Sequence, residues 1–301
     1  MRNGKKAFSM LELIFVIVVV GILSRFGVEF LAQAYRNFIF SNINNKLQAQ
    51  SEAAVEFIAK RLEYRIKGSV VARQGLGGVP TSIRNAAVIG NTWTVLEWAS
   101  EDAAGFRGLN APLWSGVIDL DDPATTNTNL ITPGTNLGTL SNYITNLGGN
   151  GIADAAITFV AGEQDPRGYG WNGALAANDS GRSIHPVAAN GNAFTGNPDF
   201  IGVKVTEFYK LAWTAYGIFH DANDNLWLYY NYQPWNGDSL TANGTRQLIM
   251  ENVSSFQFIA LDNLLKIQVC VHSDGIISGD ASDDAATASG EYAICKDKTV
   301  F

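Results

Sequence analysis

The stretch MRNGKKAFSMLELIFVIVVVGIL, residues 1–23, decides how the rest of the chain is read. It joins a basic leader to a nearly unbroken apolar run that holds one carboxylate, Glu12. Arg2, Lys5 and Lys6 precede the run and the next cation is Arg25, so the positive-inside bias keeps the N-terminus in the cytoplasm and sends the remainder outward. Phe8 to Leu23 would measure about 24 Å as a helix, a little short of a hydrocarbon core of roughly 30 Å. Phe26, Val28, Phe30 and Leu31 extend the apolar surface, giving a transmembrane part over 8–32 in which Arg25 is placed to snorkel.

Glu12 is the residue that a plain anchor does not need. A carboxylate at mid-bilayer costs roughly 2.5 to 3.5 kcal/mol on insertion scales, and such groups pair with a partner. A cut between Ala7 and Phe8 would supply one, because the new amino group of Phe8 in one subunit neutralises Glu12 of its neighbour. With a short basic leader ending in the small Ala7, an aromatic Phe8 at the first mature position, Glu12 at the fifth and Gly21 inside the apolar helix, the stretch resembles the type IV pilin and type II secretion pseudopilin family.

That resemblance implies cleavage after Ala7 by a membrane prepilin peptidase, N-methylation of Phe8, and a role for Glu12 in setting subunit register. The partners it implies are other pilin or pseudopilin subunits, the peptidase, an inner-membrane assembly platform and membrane lipid. The chain would first sit in the bacterial inner membrane with its head in the periplasm, and then in a filament. Glu29 stands where many major pilins carry a helix-kinking proline, so the expected member is a large minor pilin or pseudopilin. A simple secretory signal or anchor is the competing reading, and Ala32-Gln33-Ala34 has the small-x-small form of a signal-peptidase site. Arg25 and Glu29 would then lie in an overlong charged tail between the apolar core and that site.

Beyond the apolar run, Tyr35, Phe38, Ile39, Leu47, Val55, Ile58, Leu62 and Ile66 continue a stripe at roughly helical spacing, with no proline among them. The spacing predicts one helix over 8–67, about 90 Å long if straight, stopping near Gly68. Lys60, Arg61, Arg65 and Lys67 near its end favour the macrodipole and read as a solvated face. The expected organisation is a leader over 1–7, this helix, and an exported β-rich head over 68–301.

The composition suits such a head. Hydrophobic residues make up 47% of the chain, enough for a core, and 30 glycines with many Asn and Thr imply loop-rich β structure. Removing the leader's three cations takes the formal charge from −7 to −10, a poor match for phosphate backbones, so no nucleic-acid partner is expected. Strand patterns are predicted at Asn91–Ala99, Gly116–Leu120 and Ala155–Gly162. The region 121–151 reads as a long connection with at most short helical or strand pieces, and 162–197, rich in Gly, Asn, Pro and Asp, as an exposed excursion.

The clearest β signal begins at Ile201, where two strand-like runs flank the turn cluster Asp221–Asn225. Ser255–Asp262 and Leu264–Ser273 form a second pair, with Leu265, Ile267, Val269 and Val271 on one face, and EYAICKDKTVF closes the chain as a terminal strand. The fold class expected is α+β, a long N-terminal helix packed on a mainly antiparallel sheet, which is also the architecture the family resemblance implies.

Cys270 and Cys295 lie in the exported part, where a disulfide closing the loop 270–295 is the default and a pair of buried thiols the alternative. Asp280, Ser282, Asp284 and Glu291 match positions 1, 3, 5 and 12 of a calcium loop, although Ala285 replaces the turn glycine. Calcium is one reading of that segment and a solvated acidic loop the other. Asp221, Asn223 and Asn225 make a partial match that turn chemistry explains better. Ser183, His185 and Asp179 give a triad on paper without a nucleophile elbow, and no nucleotide motif occurs, so no enzymatic role is expected. Trp213, Tyr216, Phe219, Trp227, Tyr229, Tyr230, Tyr232 and Trp235 crowd one hairpin, mostly as core. On an outer face they would suit an adhesin or lectin with the same anchor.

Overall fold

The computed structural model describes residues 9–84, 92–162, 164–173, 181–197, 199–261, 263–273 and 293–301. The chain divides into two units, Met1–Ala49 and Gln50–Phe301. Helix α1 (Met10–Leu62) supplies the described part of the first unit beyond Ser9, and its last turns belong to the second. From Leu11 and Phe15 to Phe38 nearly all its large apolar side chains are exposed, whereas Leu47 is buried, and the helix is long and apolar enough to cross a membrane. The run is rich in β-branched residues that favour strands in water, yet a helix satisfies every backbone group within the segment, as a lipid environment demands.

In the second unit α1 buries Ser51, Ala54, Val55, Ile58, Ala59 and Leu62, the i, i+3, i+4, i+7 stripe of a one-sided helix. The helix ends at Leu62, five residues before the expected Lys67. The cause is competition for backbone groups. Glu101 N–H donates to Tyr64 O (2.8 Å), Ile66 N–H donates to Ala99 O (2.9 Å), and Arg65 bridges to Ser100, so strand pairing captures the chain before another helical turn can close. Gly68 does not stop the helix. It sits in a 3-10 turn, Lys67–Ser69, where a Cβ would lie 2.6 Å from Gln164 Oε1, and Ser69 Oγ accepts from Ala99 N–H (2.9 Å) to fill the gap in the ladder.

The head is mainly antiparallel. In chain order come β1 (Val71–Arg73), β2 (Thr81–Ser82), β3 (Val95–Glu101), α2 (Ala103–Arg107), β4 (Leu130–Ile131), α3 (Leu137–Asn146), β5 (Ala156–Phe159), β6 (His185–Asn190), β7 (Ala193–Gly196), β8 (Tyr209–His220), β9 (Leu226–Tyr232), β10 (Thr245–Met250), β11 (Val253–Leu261), β12 (Leu264–His272) and β13 (Ala293–Val300). Among the described residues, β1 to β10 form one sheet centred on β8. One edge of β8 pairs with β3, while the other is shared end to end by β5, at residues 209–212, and β9, at residues 215–220. A smaller sheet has the order β11-β12-β13.

Both faces of the large sheet are covered. Because neighbouring residues of a strand point to opposite faces, Ile157, Phe159, Tyr209 and Leu211 belong to one core with Trp114, Leu140 and Phe194. Ala156, Ala212 and Ala215 belong to another with Tyr169, Trp171, Tyr229, Tyr232 and Trp235. Three expectations change here. The segment 162–197 is no exposed excursion, since Tyr169, Trp171, Ile184, Val187 and Phe194 are buried and β6 and β7 pair within it. Gly116–Leu120 contributes only a bridge, Val117 to Phe208, with Gly116 at φ +76°. The basic run also splits. Lys60 and Lys67 are solvated, Arg61 stacks 3.6 Å over Phe57, and Arg65 is buried. Arg65 donates to Leu62 O (2.7 Å), Asn263 O (3.0 Å), Val300 O (3.3 Å) and Phe301 O (3.3 Å), tying the end of α1 to the small sheet.

Candidate functional site

Of the residues read from the first stretch, Ala7 and Phe8 lie outside the described residues, and Glu12 is exposed in the first turn of α1. Its N–H donates to Ser9 O (3.1 Å) and Ser9 Oγ (3.3 Å), so Ser9 caps the helix. Ser9-Met10-Leu11-Glu12 therefore has the spacing of a capping box, a signal spelled in the sequence beside the charge of Glu12. A carboxylate in the first turn also favours the helix macrodipole. Past the apolar run, Arg25 Nε donates to Glu29 Oε1 (3.2 Å), so these two exposed charges pair with each other along the helix.

At the other end, Cys270 and Cys295 are joined, opposite each other in the register of β12 and β13 with Cα atoms 3.9 Å apart. Asp280, Ser282, Asp284 and Glu291 lie outside the described residues, and among the described ones no cluster of three or more His, Cys, Asp or Glu side chains is placed to hold a metal ion. Asp221 Oδ1 accepts from Asn223 N–H (2.8 Å) and Asn225 N–H (2.9 Å), which is turn chemistry; against slight desolvation, the Trp227 Nε1–H bond and then these turn bonds hold its carboxyl below the usual range. The paper triad does not assemble among described residues. Asp179 is outside them, Ser183 Oγ donates to Asp165 O (2.8 Å), and His185 is buried beside Phe159 and Phe200, where desolvation pushes its pKa down to about 4.

The aromatic hairpin is mostly core, as expected. Tyr229, Tyr232 and Trp235 are buried and the others half-buried. Trp227, the best candidate for an outer contact, is occupied by Arg246 over its ring (4.9 Å) and by Asp221 at its Nε1 (2.8 Å).

The structure brings together a constellation that the sequence did not announce. Glu97 on β3 is 1% exposed, and it accepts from Tyr232 OH (2.9 Å) and from Arg73 Nε. Burial raises the Glu97 carboxyl pKa, against the pull of Arg73. The other two guanidinium nitrogens of Arg73 donate to Gly78 O (3.0 Å) and Trp171 O (2.9 Å). This fork fixes the floor of a cleft of about 360 Å³, walled by Leu76, Trp171, Ser239, Leu240 and Thr241. A second cleft of about 690 Å³ shares Pro80, Trp171 and Asn172 with it and runs on past Thr81, Ser82, Gln164 and Arg167.

Comparison with known protein families, curated proteins and solved structures finds no match to this chain.

Proposed function

We propose that the chain is a filament subunit of the type IV pilin or type II secretion pseudopilin kind, a large minor member, cut after Ala7 and methylated on Phe8. The observation that carries this reading is the start of α1, which is apolar on nearly all sides up to Leu23, with Glu12 in its first turn and three cations ahead of it. A helix of that character is stable only in lipid or among like helices. On this reading the membrane stores subunits, Glu12 matches each to a neighbour's Phe8 amine, and the apolar helices pass from lipid into a filament core. Its work is mechanical, with no catalysis, and its partners are other subunits, the prepilin peptidase, the assembly platform and lipid. The head is held outside the cytoplasmic membrane, where the Cys270–Cys295 bond forms.

Mass spectrometry of the mature N-terminus tests it most directly. Methylated Phe8 is the expected end; Met1 retained in cells with a working prepilin peptidase, or an end at Tyr35, overturns it. A Glu12→Ala variant is expected to insert normally and to enter filaments poorly, and assembly at wild-type levels would defeat the pairing.

A further inference from the structure

Strand β10 has one neighbour, β9, and its residues from Thr245 to Leu248 are exposed. The large sheet also ends at β2 and β4, but each of those is two residues long, the short form in which folds keep an edge from pairing further. β10 runs for six residues without proline or lysine, and its one irregularity is a bulge between Leu248 and Met250.

The register shows which of its backbone groups are unmade. At the β8–β9 turn Asp221 N–H donates to Asn225 O (2.9 Å), and His220 N–H turns away from β9 to Thr94 O (3.0 Å). Bonded and non-bonded pairs alternate along an antiparallel ladder, so Phe219 with Trp227 and Gly217 with Tyr229 share bonds across β8–β9. Leu228 and Tyr230 turn their groups to β10 instead, where they meet Gln247 and Thr245. Arg246 and Leu248 therefore present their N–H and C=O groups outward, and none of the described residues bonds to them. Two donor–acceptor sets about 6.8 Å apart along a straight edge match the repeat of a second extended backbone.

The side chains of the same two residues say what that backbone carries. Being two apart, Arg246 and Leu248 share a face of the sheet. Arg246 is exposed, lies over the Trp227 ring (4.9 Å), and has no carboxylate partner among the described residues. A cation stacked in this way is ordered before a partner arrives, which lowers the cost of pairing with it. Leu248, 38% exposed, offers an apolar contact beside it. We propose that β10 is a docking edge for an extended strand of a partner protein, which adds to the sheet along Arg246 and Leu248 with a carboxylate side chain opposite Arg246 and an apolar one opposite Leu248. Main-chain bonds to the two residues supply affinity, and the alternate side chains supply the choice of partner. The proposal concerns the head and does not depend on how the chain is anchored or assembled.

The test uses the full chain in detergent and two fluorescent, threonine-rich peptides, one with Val-Thr-Glu at its centre for an antiparallel fit and one with Glu-Thr-Val for a parallel fit. One of them is expected to bind in fluorescence polarisation and to slow hydrogen exchange over 245–250. Replacing its Glu by Lys should weaken binding roughly fivefold, and Arg246→Glu should reverse that preference. Leu248→Pro removes an outward N–H and no bond between β9 and β10, a position where an edge strand tolerates proline, so binding should be lost with the melting curve unchanged. Should Leu248→Pro not fold, Arg246→Glu carries the test by itself. The proposal is overturned if neither peptide binds, if the Glu and Lys forms bind equally, or if binding survives Leu248→Pro. Self-association lost in Leu248→Pro, with no peptide bound by the parent chain, would also overturn it and make the occupant a second copy.

Discussion

The two ends of α1 share one backbone geometry and opposite surroundings. Between Met10 and Phe40 nearly all the large apolar side chains are exposed, Ile17 at 63%, whereas Ile58 near the other end is completely buried. The difference lies in how the apolar residues are distributed around the helix. Near Ile58 the buried positions form one stripe that includes the small Ser51, Ala54 and Ala59, with Glu52, Lys60 and Glu63 facing water. Near Ile17 no side of the helix is polar, so no single packed face could satisfy it. One end is thus stabilised by its own head, and the other needs an apolar solvent or copies of itself.

The same substitution in both places gives the largest expected contrast. Ile58→Ala should cost roughly 2 to 5 kcal/mol in chemical unfolding of the head, because it opens a cavity in a filled core. Ile17→Ala should leave that transition unmoved. Equal effects would erase the distinction between the two ends.

Next in size is the covalent tie between β12 and β13. Cys270 and Cys295 are separated by 25 positions, and a loop of that length stabilises by about 3.5 kcal/mol in the chain-entropy model. A Cys270→Ser/Cys295→Ser double variant should lower head stability by roughly that amount and leave insertion of α1 unchanged. If the double variant failed to insert, the two units would not be energetically separate.

His185 makes the head's response to acid specific. Burial beside Phe159 and Phe200 lowers its pKa from 6.5 to about 4, with the charge of Arg182 adding to the effect. The folded state therefore favours neutral His185. Its contribution is fully present above pH 6.5 and is lost as pH falls from there towards 4, by about 3 kcal/mol if the depression is taken whole. Asp165 and Asp221, whose pKa values are also lowered, lose their contributions only below 3.8, outside this window. In His185→Leu the loss of stability on acidification between pH 6.5 and 4 should disappear, leaving the opposite slope of the buried Glu97 and Asp102, whose raised carboxyl pKa values make the folded state bind protons more readily than the unfolded chain. An unchanged slope would show that other groups carry the acid response.

Much of this contrast could be read in the chain itself. The hairpin around Asp221–Asn225 and the pairing of β11 with β12 follow from alternation long enough to outweigh local ambiguity, and the buried face Leu265, Ile267, Val269 and Val271 is the expected one. The strands β6 and β7 were hidden because each is short and mostly small or polar, with Val187 and Phe194 as isolated apolar marks. Their pairing is enforced by the core they cover, not by local pattern. The burial of Arg65 was equally invisible, since three of its four acceptors are carbonyls nearly two hundred or more positions away. The Trp171 cleft gathers residues from the β1–β2 turn, β3 and the segments around 171 and 240, and no spacing rule connects such distant stretches.

The smallest expected change in stability separates two accounts of Glu12. In a capping box, Gln at the third helical position serves nearly as well as Glu, so Glu12→Gln should alter helix formation by only a few tenths of a kcal/mol, the loss of a favourable charge near the N-terminus. A role in neutralising an amine across subunits is different in kind, because Gln offers an acceptor but no charge, and an unneutralised ammonium in an apolar core is costly. Ser9→Ala supplies the complementary perturbation. It removes the hydroxyl that accepts from Glu12 N–H, costs about 1 kcal/mol at the helix start, and keeps the carboxylate. If filament incorporation, measured by shearing and immunoblotting, is normal in Ser9→Ala and lost in Glu12→Gln, charge pairing governs the exposed end of α1. If Ser9→Ala is the impaired variant and Glu12→Gln assembles normally, Glu12 is a helix-capping residue, and the all-round apolar surface remains as the feature that drives association.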